Sequence, residues 1–148
     1  MLKGDGRIKN ANFEFFSNYL AQKGLKPSFI RVKILEYLVT KKTHPTADEI
    51  YNNLITEIPT LSKTTVYNTL NAFLKSDIAK MITIEQDEAR YDADTSDHGH
   101  FKCENCGTVY DFKFKMSDIV YTDLEGFEIK SRDLYFKGLC PKCKNKKF

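Results

Sequence analysis

Long apolar runs are missing from this chain: no stretch approaches the roughly 18–20 consecutive apolar residues that span a bilayer. The opening MLKGDGRIKNANFEFF also lacks the apolar centre of a secretory signal. The expected compartment is therefore the cytoplasm, and no membrane partner is expected. Charge of one sign is scarce too. Lysine and arginine number 23 against 20 acidic residues, a net charge of only +3, and neither half of the chain stands out. No overwhelming basic field marks a nucleic-acid binder, and the closing KCKNKKF reads as a solvated basic end. Internal repeats and low-complexity tracts are absent. Histidine is limited to 3 residues and cysteine to 4, so where each one falls matters.

Hydrophobic periodicity divides the 148 residues into two textures. Phe13, Phe16, Tyr19 and Leu20 recur at helical spacing up to Gly24, a C-cap candidate. After Pro27, Ile30, Ile34, Leu35 and Leu38 mark a second helix. HPTADEIYNNLI opens a third, with Thr46 as N-cap and Glu49 completing a capping box. LSKTTVYNTLNAFLKS is the fourth, capped by Ser62 and buried through Val66, Leu70, Phe73 and Leu74. AKMITIE and ARYDA, turned by QDE, then form a strand pair. Helices followed by such a ribbon describe a winged helix-turn-helix, with the third and fourth helices as the paired element. From about Thr95 short β-rich segments, HFKCENCGTVYDF and EIKSRDLYFKGLC, flank the helical-looking MSDIVYTDLEG. This small α/β unit has a thin core, and a metal or partner subunit often completes such a unit. The expected class is α+β, with domains at 1–92 and 93–148 and a polar hinge within Asp92–Asp97.

On the fourth helix the apolar stripe leaves Thr64, Asn68 and Asn71 on the opposite side, with Tyr67 flanking and Lys63 near the start. Asparagine can bond adenine through N6 and N7, and a threonine methyl can pack on thymine. An exposed polar face without a partner is the bland alternative. The N-cap, the helix-pair spacing and the following ribbon favour double-stranded DNA, with Lys63, Lys75 and Lys80 positioning phosphates.

The cysteines form two pairs, Cys103-x2-Cys106 and Cys140-x2-Cys143, with 33 residues between the pairs. A reducing cytoplasm disfavours disulfides, and two such pairs suit a closed tetrahedral Zn2+ site, with an iron–sulfur cluster as the alternative. His98 and His100 are two apart on an extended segment and so face one side. They could grip one ion or be a chance pair. His44, before Pro45, could equally be a loop histidine. Asp92 ends the ribbon and Asp111 lies in VYDF; both could be simple surface carboxylates. Imidazole and carboxylate together suit Fe2+ or Mn2+ better than thiolates do.

HPTADEIY, SKTTVYNTL, RYD, SDHGHFKCENCG, VYDF and GLCPKC together resemble the Fur family of metal-dependent transcriptional repressors, most closely its peroxide-sensing PerR branch, over about residues 13–145. The resemblance implies a winged-helix DNA-binding domain followed by an α/β dimerisation domain, assembled as a homodimer on a DNA operator. It implies structural zinc at the four cysteines and a regulatory Fe2+ or Mn2+ at His44, Asp92, His98, His100 and Asp111. An ion holding all five would clamp the winged domain and set two recognition helices about 34–36 Å apart or a multiple of that. Hydrogen peroxide is the implied signal, with His44 or His98 oxidised to 2-oxo-histidine beside bound Fe2+. The aspartate of RYD and Asn68 follow the PerR pattern, where iron-sensing members usually carry glutamate and many carry arginine. One departure is Arg132, at a position where many members place a histidine for a further metal site.

Three other readings remain at this point. An iron-responsive Fur-type repressor would release DNA simply when Fe2+ is scarce. A metalloenzyme using His98, His100 and Asp111 to activate water lacks a clear spare base and leaves little open coordination. A zinc-stabilised interaction module without DNA binding is a third class, which a gel shift with and without Mn2+ separates.

Overall fold

Helical spacing of Phe16 and Leu20 predicts a first helix, and α1 occupies Asn12–Gln22 with both side chains buried in the structure, a computed structural model describing residues 12–146. The leader reading, the end of the basic tail and the outer bounds of the two expected domains lie outside the described residues. The helix closes at Gly24, whose φ of +80° suits a residue without Cβ. Leu25 N–H donates to the Leu20 carbonyl (2.9 Å) and Gly24 N–H to that of Ala21 (3.0 Å), the bond pair of a Schellman ending. Phe13 departs from the expected stripe: it is half exposed and stacks on Phe29 with centroids 6.2 Å apart.

The chain divides into two compact units between Thr95 and Ser96. In the first, α2 spans Phe29–Lys41 and is capped by the Ser28 hydroxyl, which accepts the Arg31 N–H at 3.2 Å. Val32, Ile34, Leu35, Leu38 and Val39 are buried along it, a wider face than the expected stripe. α3 (Ala47–Leu54) and α4 (Lys63–Lys75) form the helix pair. The α3 capping box is complete: Thr46 Oγ1 accepts the Glu49 N–H and Glu49 Oε2 accepts the Thr46 N–H, each at 3.1 Å. Its loss in Thr46→Ala is expected to cost about 1 kcal/mol, read as a melting shift of about 4–8 °C in a unit of this size. Thermal unfolding followed by circular dichroism checks this, and an unchanged midpoint would refute it. Ile50, Val66, Leu70, Phe73 and Ile78 complete one apolar cluster with α1 and α2.

The ribbon is shorter than the sequence predicts. β1 (Lys80–Ile82) pairs antiparallel with β2 (Arg90–Asp92), Met81 facing Tyr91. The ladder ends at Ile82, and beyond it the Glu85 carboxylate bonds Arg90 Nε at 2.7 Å.

In the second unit the strand order is β4-β3-β5: β3 (Gly99–Cys103), β4 (Val109–Phe112) antiparallel to it and β5 (Tyr135–Gly138) parallel. The helix expected over MSDIVYTDLEG is reduced to one 3-10 turn at Met116–Asp118. Ile119, Val120, Tyr121 and Thr122 explain the shortfall, since β-branched and aromatic side chains lose rotamer freedom in a helix and a stretch this short nucleates poorly. EIKSRDLYFKGLC likewise keeps only its Tyr135–Gly138 portion as strand. A four-residue helix, α5 (Pro141–Lys144), ends the described chain, with Pro141 in its first turn. The fold is α+β. Among the described residues no helix is long and apolar enough to cross a membrane.

Candidate metal centres and nucleic-acid interface

Strand alternation decides the chemistry of the second unit. Successive β3 residues point to opposite faces, and the register places Gly99 opposite Phe112, His100 opposite Asp111 and Tyr135, and Cys103 beside Gly138. One face therefore carries Cys103, Tyr110, Phe112 and Phe136. The other carries His100 and Asp111. The cysteine and histidine pairs of DHGHFKCENCG are separated by the thickness of a sheet, not merely by two residues.

The thiol side is built from two turns. Gly107, at φ +76°, lets the chain after Cys103 fold back, with Gly107 N–H donating to the Cys103 carbonyl at 2.9 Å. Cys140 precedes α5 and Cys143 lies within it. The four Sγ atoms all lie within 4.8 Å of one another, those of Cys106 and Cys140 at 3.9 Å. Four sulfurs around one tetrahedral zinc at about 2.3 Å would be about 3.8 Å apart, so the donor set fits that ion. Cys103 Sγ accepts the N–H groups of Cys106 (3.5 Å) and Cys140 (3.4 Å), and Asn105 Nδ2 donates to Cys143 Sγ at 3.2 Å.

These donors shift the thiols unequally. The Cys103 thiol is lowered to about 6, first by the Cys106 N–H and then by that of Cys140. Cys140 is lowered by the Cys143 N–H and then by the Tyr110 hydroxyl. Tyr110 is pushed up to about 12, chiefly because Cys140 holds its proton. Asn105 pulls Cys143 down, yet burial and the three neighbouring sulfurs outweigh it and raise Cys143 to about 11. Four thiolates this close require a cation, and a bound metal deprotonates its thiols outright. Tyr110 and Asn105 were not singled out in the sequence; period-two counting from Cys103 finds Tyr110 only once the hairpin register is known.

On the opposite face the imidazoles of His98 and His100 meet at 4.6 Å between centroids. One carboxylate oxygen of Asp111 lies 3.4 Å from His98 Nε2 and 3.3 Å from His100 Nε2. His98 Nδ1 is bonded to the Ser96 carbonyl at 2.8 Å, leaving Nε2 toward the aspartate. This is how ligating histidines are commonly oriented, by a bond at the other ring nitrogen. Arg132 pairs with Asp97 at 2.7 Å in the same unit.

The first unit holds the other two expected ligands. His44 is buried, and its Nε2 lies 3.5 Å from Asp92 Oδ2. Its φ of +52° is left-handed, a region histidine visits more readily than most side chains. Neighbouring bonds hold it there: Arg90 Nη1 donates to the His44 carbonyl at 3.1 Å and Tyr91 N–H to that of Pro45 at 3.0 Å. These bonds draw the loop after α2 onto β2, which ends at Asp92. Each unit thus presents its own set of nitrogen and oxygen donors, the combination that suits Fe2+ or Mn2+.

On α4, Thr64, Tyr67, Asn68 and Asn71 are exposed while Val66, Thr69, Leu70 and Phe73 are buried. Burial of Thr69 narrows the free polar face; Leu74 is only half buried. Lys63 is exposed at the helix start, its Nζ 3.7 Å from Asp48 and 5.6 Å from the Tyr51 ring centroid.

Residues 22–137 match the ferric uptake regulator family. The chain is 39% identical over 130 residues to the peroxide operon regulator of Bacillus subtilis (strain 168), covering 86% of this chain and 90% of that protein. It is 35% identical over 130 residues to the peroxide-responsive repressor PerR of Staphylococcus aureus (strain Mu50), covering 86% and 88%. The crystal structure of the Vibrio cholerae ferric uptake regulator is similar at a TM-score of 0.67 and 27% identity, over 84% of this chain and 98% of that one.

Proposed function

Because the chain belongs to the ferric uptake regulator family, whose members regulate transcription and are not enzymes, we propose that it is a metal-dependent repressor that leaves its operator when hydrogen peroxide oxidises a metal ligand. The observation that carries this reading is the segregation of donors. Thiols occupy one face of the second unit's sheet, and His98, His100 and Asp111 gather on the other. The names of the B. subtilis and S. aureus relatives support the peroxide signal.

In this reading Cys103, Cys106, Cys140 and Cys143 hold structural Zn2+. His44 and Asp92 join His98, His100 and Asp111 around one Fe2+ or Mn2+, so that the winged domain, 1–92, is tied to the dimerisation domain, 93–148. Fe2+ would supply one-electron chemistry toward peroxide, which Mn2+ supplies poorly. His44 and His98 are the imidazoles expected to record the oxidation. Loss of either as a ligand loosens the tie, and the two recognition helices of the homodimer lose their spacing on double-stranded DNA. The cytoplasm, which keeps the thiols reduced, is the compartment that this chemistry requires.

Mass spectrometry tests the signal. The Fe2+-loaded protein treated with hydrogen peroxide should gain one oxygen atom on His44 or His98, and the Mn2+-loaded protein should not. No gain on either histidine would leave an iron-responsive repressor without peroxide sensing.

Lys63, Thr64, Tyr67, Asn68 and Asn71 supply the DNA contacts in this proposal, Asn68 reading a base from the centre of the exposed face. Asn68→Ala should lose about 1–3 kcal/mol of discrimination at one base pair, or about 5–150-fold. Fluorescence anisotropy on an operator and its single-base variants reads this, and a uniform loss across all sequences would reassign Asn68 to backbone contact.

A further inference from the structure

Between His98 and His100 lies Gly99, the first residue of β3, a position with no side chain. Gly99 lies directly opposite Phe112, and a Cβ at Gly99 would collide with the outer edge of the Phe112 ring. The ring is therefore laid across the bare strand, where it also stacks on Phe136 of β5, centroids 4.9 Å apart and planes 7° from parallel. Phe112 is the last residue of β4, an edge strand in the order β4-β3-β5. Among the described residues, β3 is the sole strand that pairs with it.

The residue immediately before Phe112 is Asp111, whose carboxylate oxygen approaches both imidazoles. Alternation sends Phe112 to one face and Asp111 to the other. Seating the ring on Gly99 thus presses the end of β4 against β3 and sets the depth at which the Asp111 carboxylate meets His98 and His100. We propose that Gly99 and Phe112 are positioning residues for these three ligands, a glycine socket and an aromatic plug on the far side of the sheet. This inference rests on the reading of His98, His100 and Asp111 as metal ligands. A side chain at position 99 would displace the ring edge and, through the end of β4, shift Asp111 against the imidazoles. The glycine is needed for space, not for backbone freedom.

Mn2+ titration of the full, zinc-loaded chain by calorimetry tests this. Gly99→Ala should weaken Mn2+ binding by about 10–100-fold, the usual effect of disturbing groups behind metal ligands, with zinc content unchanged. Alanine is otherwise better than glycine in a strand, so intrinsic strand preference predicts no loss. Phe112→Ala should also weaken binding, and adding Gly99→Ala to it should change affinity by less than about twofold, because the collision partner is gone. Wild-type affinity in Gly99→Ala, or its full penalty in the Phe112→Ala background, would overturn the proposal. Should Gly99→Ala fail to accumulate with zinc, Phe112→Ala and the double variant decide: wild-type affinity in Phe112→Ala overturns the plug. His100→Ala separates the two layers of the argument. If it loses Mn2+ while Gly99→Ala does not, the socket is wrong and the ligand reading stands. If His100→Ala itself binds Mn2+ like the wild type, the ligand reading fails first.

Discussion

Asp92→Ala is expected to keep its zinc and lose most of its metal-stimulated DNA binding. Asp92 ends β2, half buried, with Oδ2 3.5 Å from His44 Nε2. In the proposed function it is one of two ligands that the winged domain contributes, so its loss weakens the tie without touching the thiols. Coupling between two ligands through a shared closed state is commonly worth about 1–3 kcal/mol, so Mn2+ stimulation should fall by about 5–150-fold. Asp92 also shapes its own turn, because its Oδ1 accepts the Asp94 N–H at 2.8 Å. Alanine removes both functions, so Asp92→Asn is the necessary companion, since it retains an acceptor for Asp94 but not the charge. Anisotropy titrations with and without Mn2+, beside zinc analysis, read the result. If both variants bind DNA with unchanged Mn2+ dependence, the tie does not run through Asp92.

Local chemistry was legible in this sequence; long-range pairing was not. Thr46 and Glu49 announce a capping box because both partners lie within four residues. Ser62 and Gly24 mark helix ends for the same reason. Two Cys-x2-Cys pairs identify a thiol site because each turn is self-contained, although the bonds from Asn105 and Tyr110 are not visible in the spacing. By contrast, β5 joins β3 in parallel across more than 30 residues, and no local pattern specifies that partner. The opposite faces of the histidine and cysteine pairs, and the socket at Gly99, follow only from that register. The backbone of His44 was illegible for another reason. Its left-handed backbone is imposed by Arg90 and Tyr91, more than 40 residues away, and histidine itself does not signal it. MSDIVYTDLEG misleads because its apolar spacing suggests a helix that the low propensity of Ile119–Thr122 does not sustain.

Cys103→Ser should produce the opposite pattern to Asp92→Ala, and a larger effect on structure. Cys103 is fully buried at the end of β3 and accepts two backbone N–H groups, which lower its thiol to about 6 and favour the thiolate. Structural zinc in small domains binds with an apparent free energy of about 10–16 kcal/mol, which is folding free energy when the empty unit is unstable. A unit of about 50 residues rarely draws more than about 3–5 kcal/mol from its own core. Removing zinc should therefore unfold the second unit and, with it, the proposed homodimer. The first unit has a separate apolar cluster of α1–α4 and should stay folded, so most of the helical circular dichroism should persist. Zinc content should fall from one per chain toward zero, and the protein should elute as a monomer. Strong chelators applied to the wild type should reproduce both changes. A Cys103→Ser protein that kept stoichiometric zinc and its dimer would show that three thiols suffice. The two variants thus separate the sites: one should lose regulation with zinc in place, the other should lose the scaffold on which regulation depends.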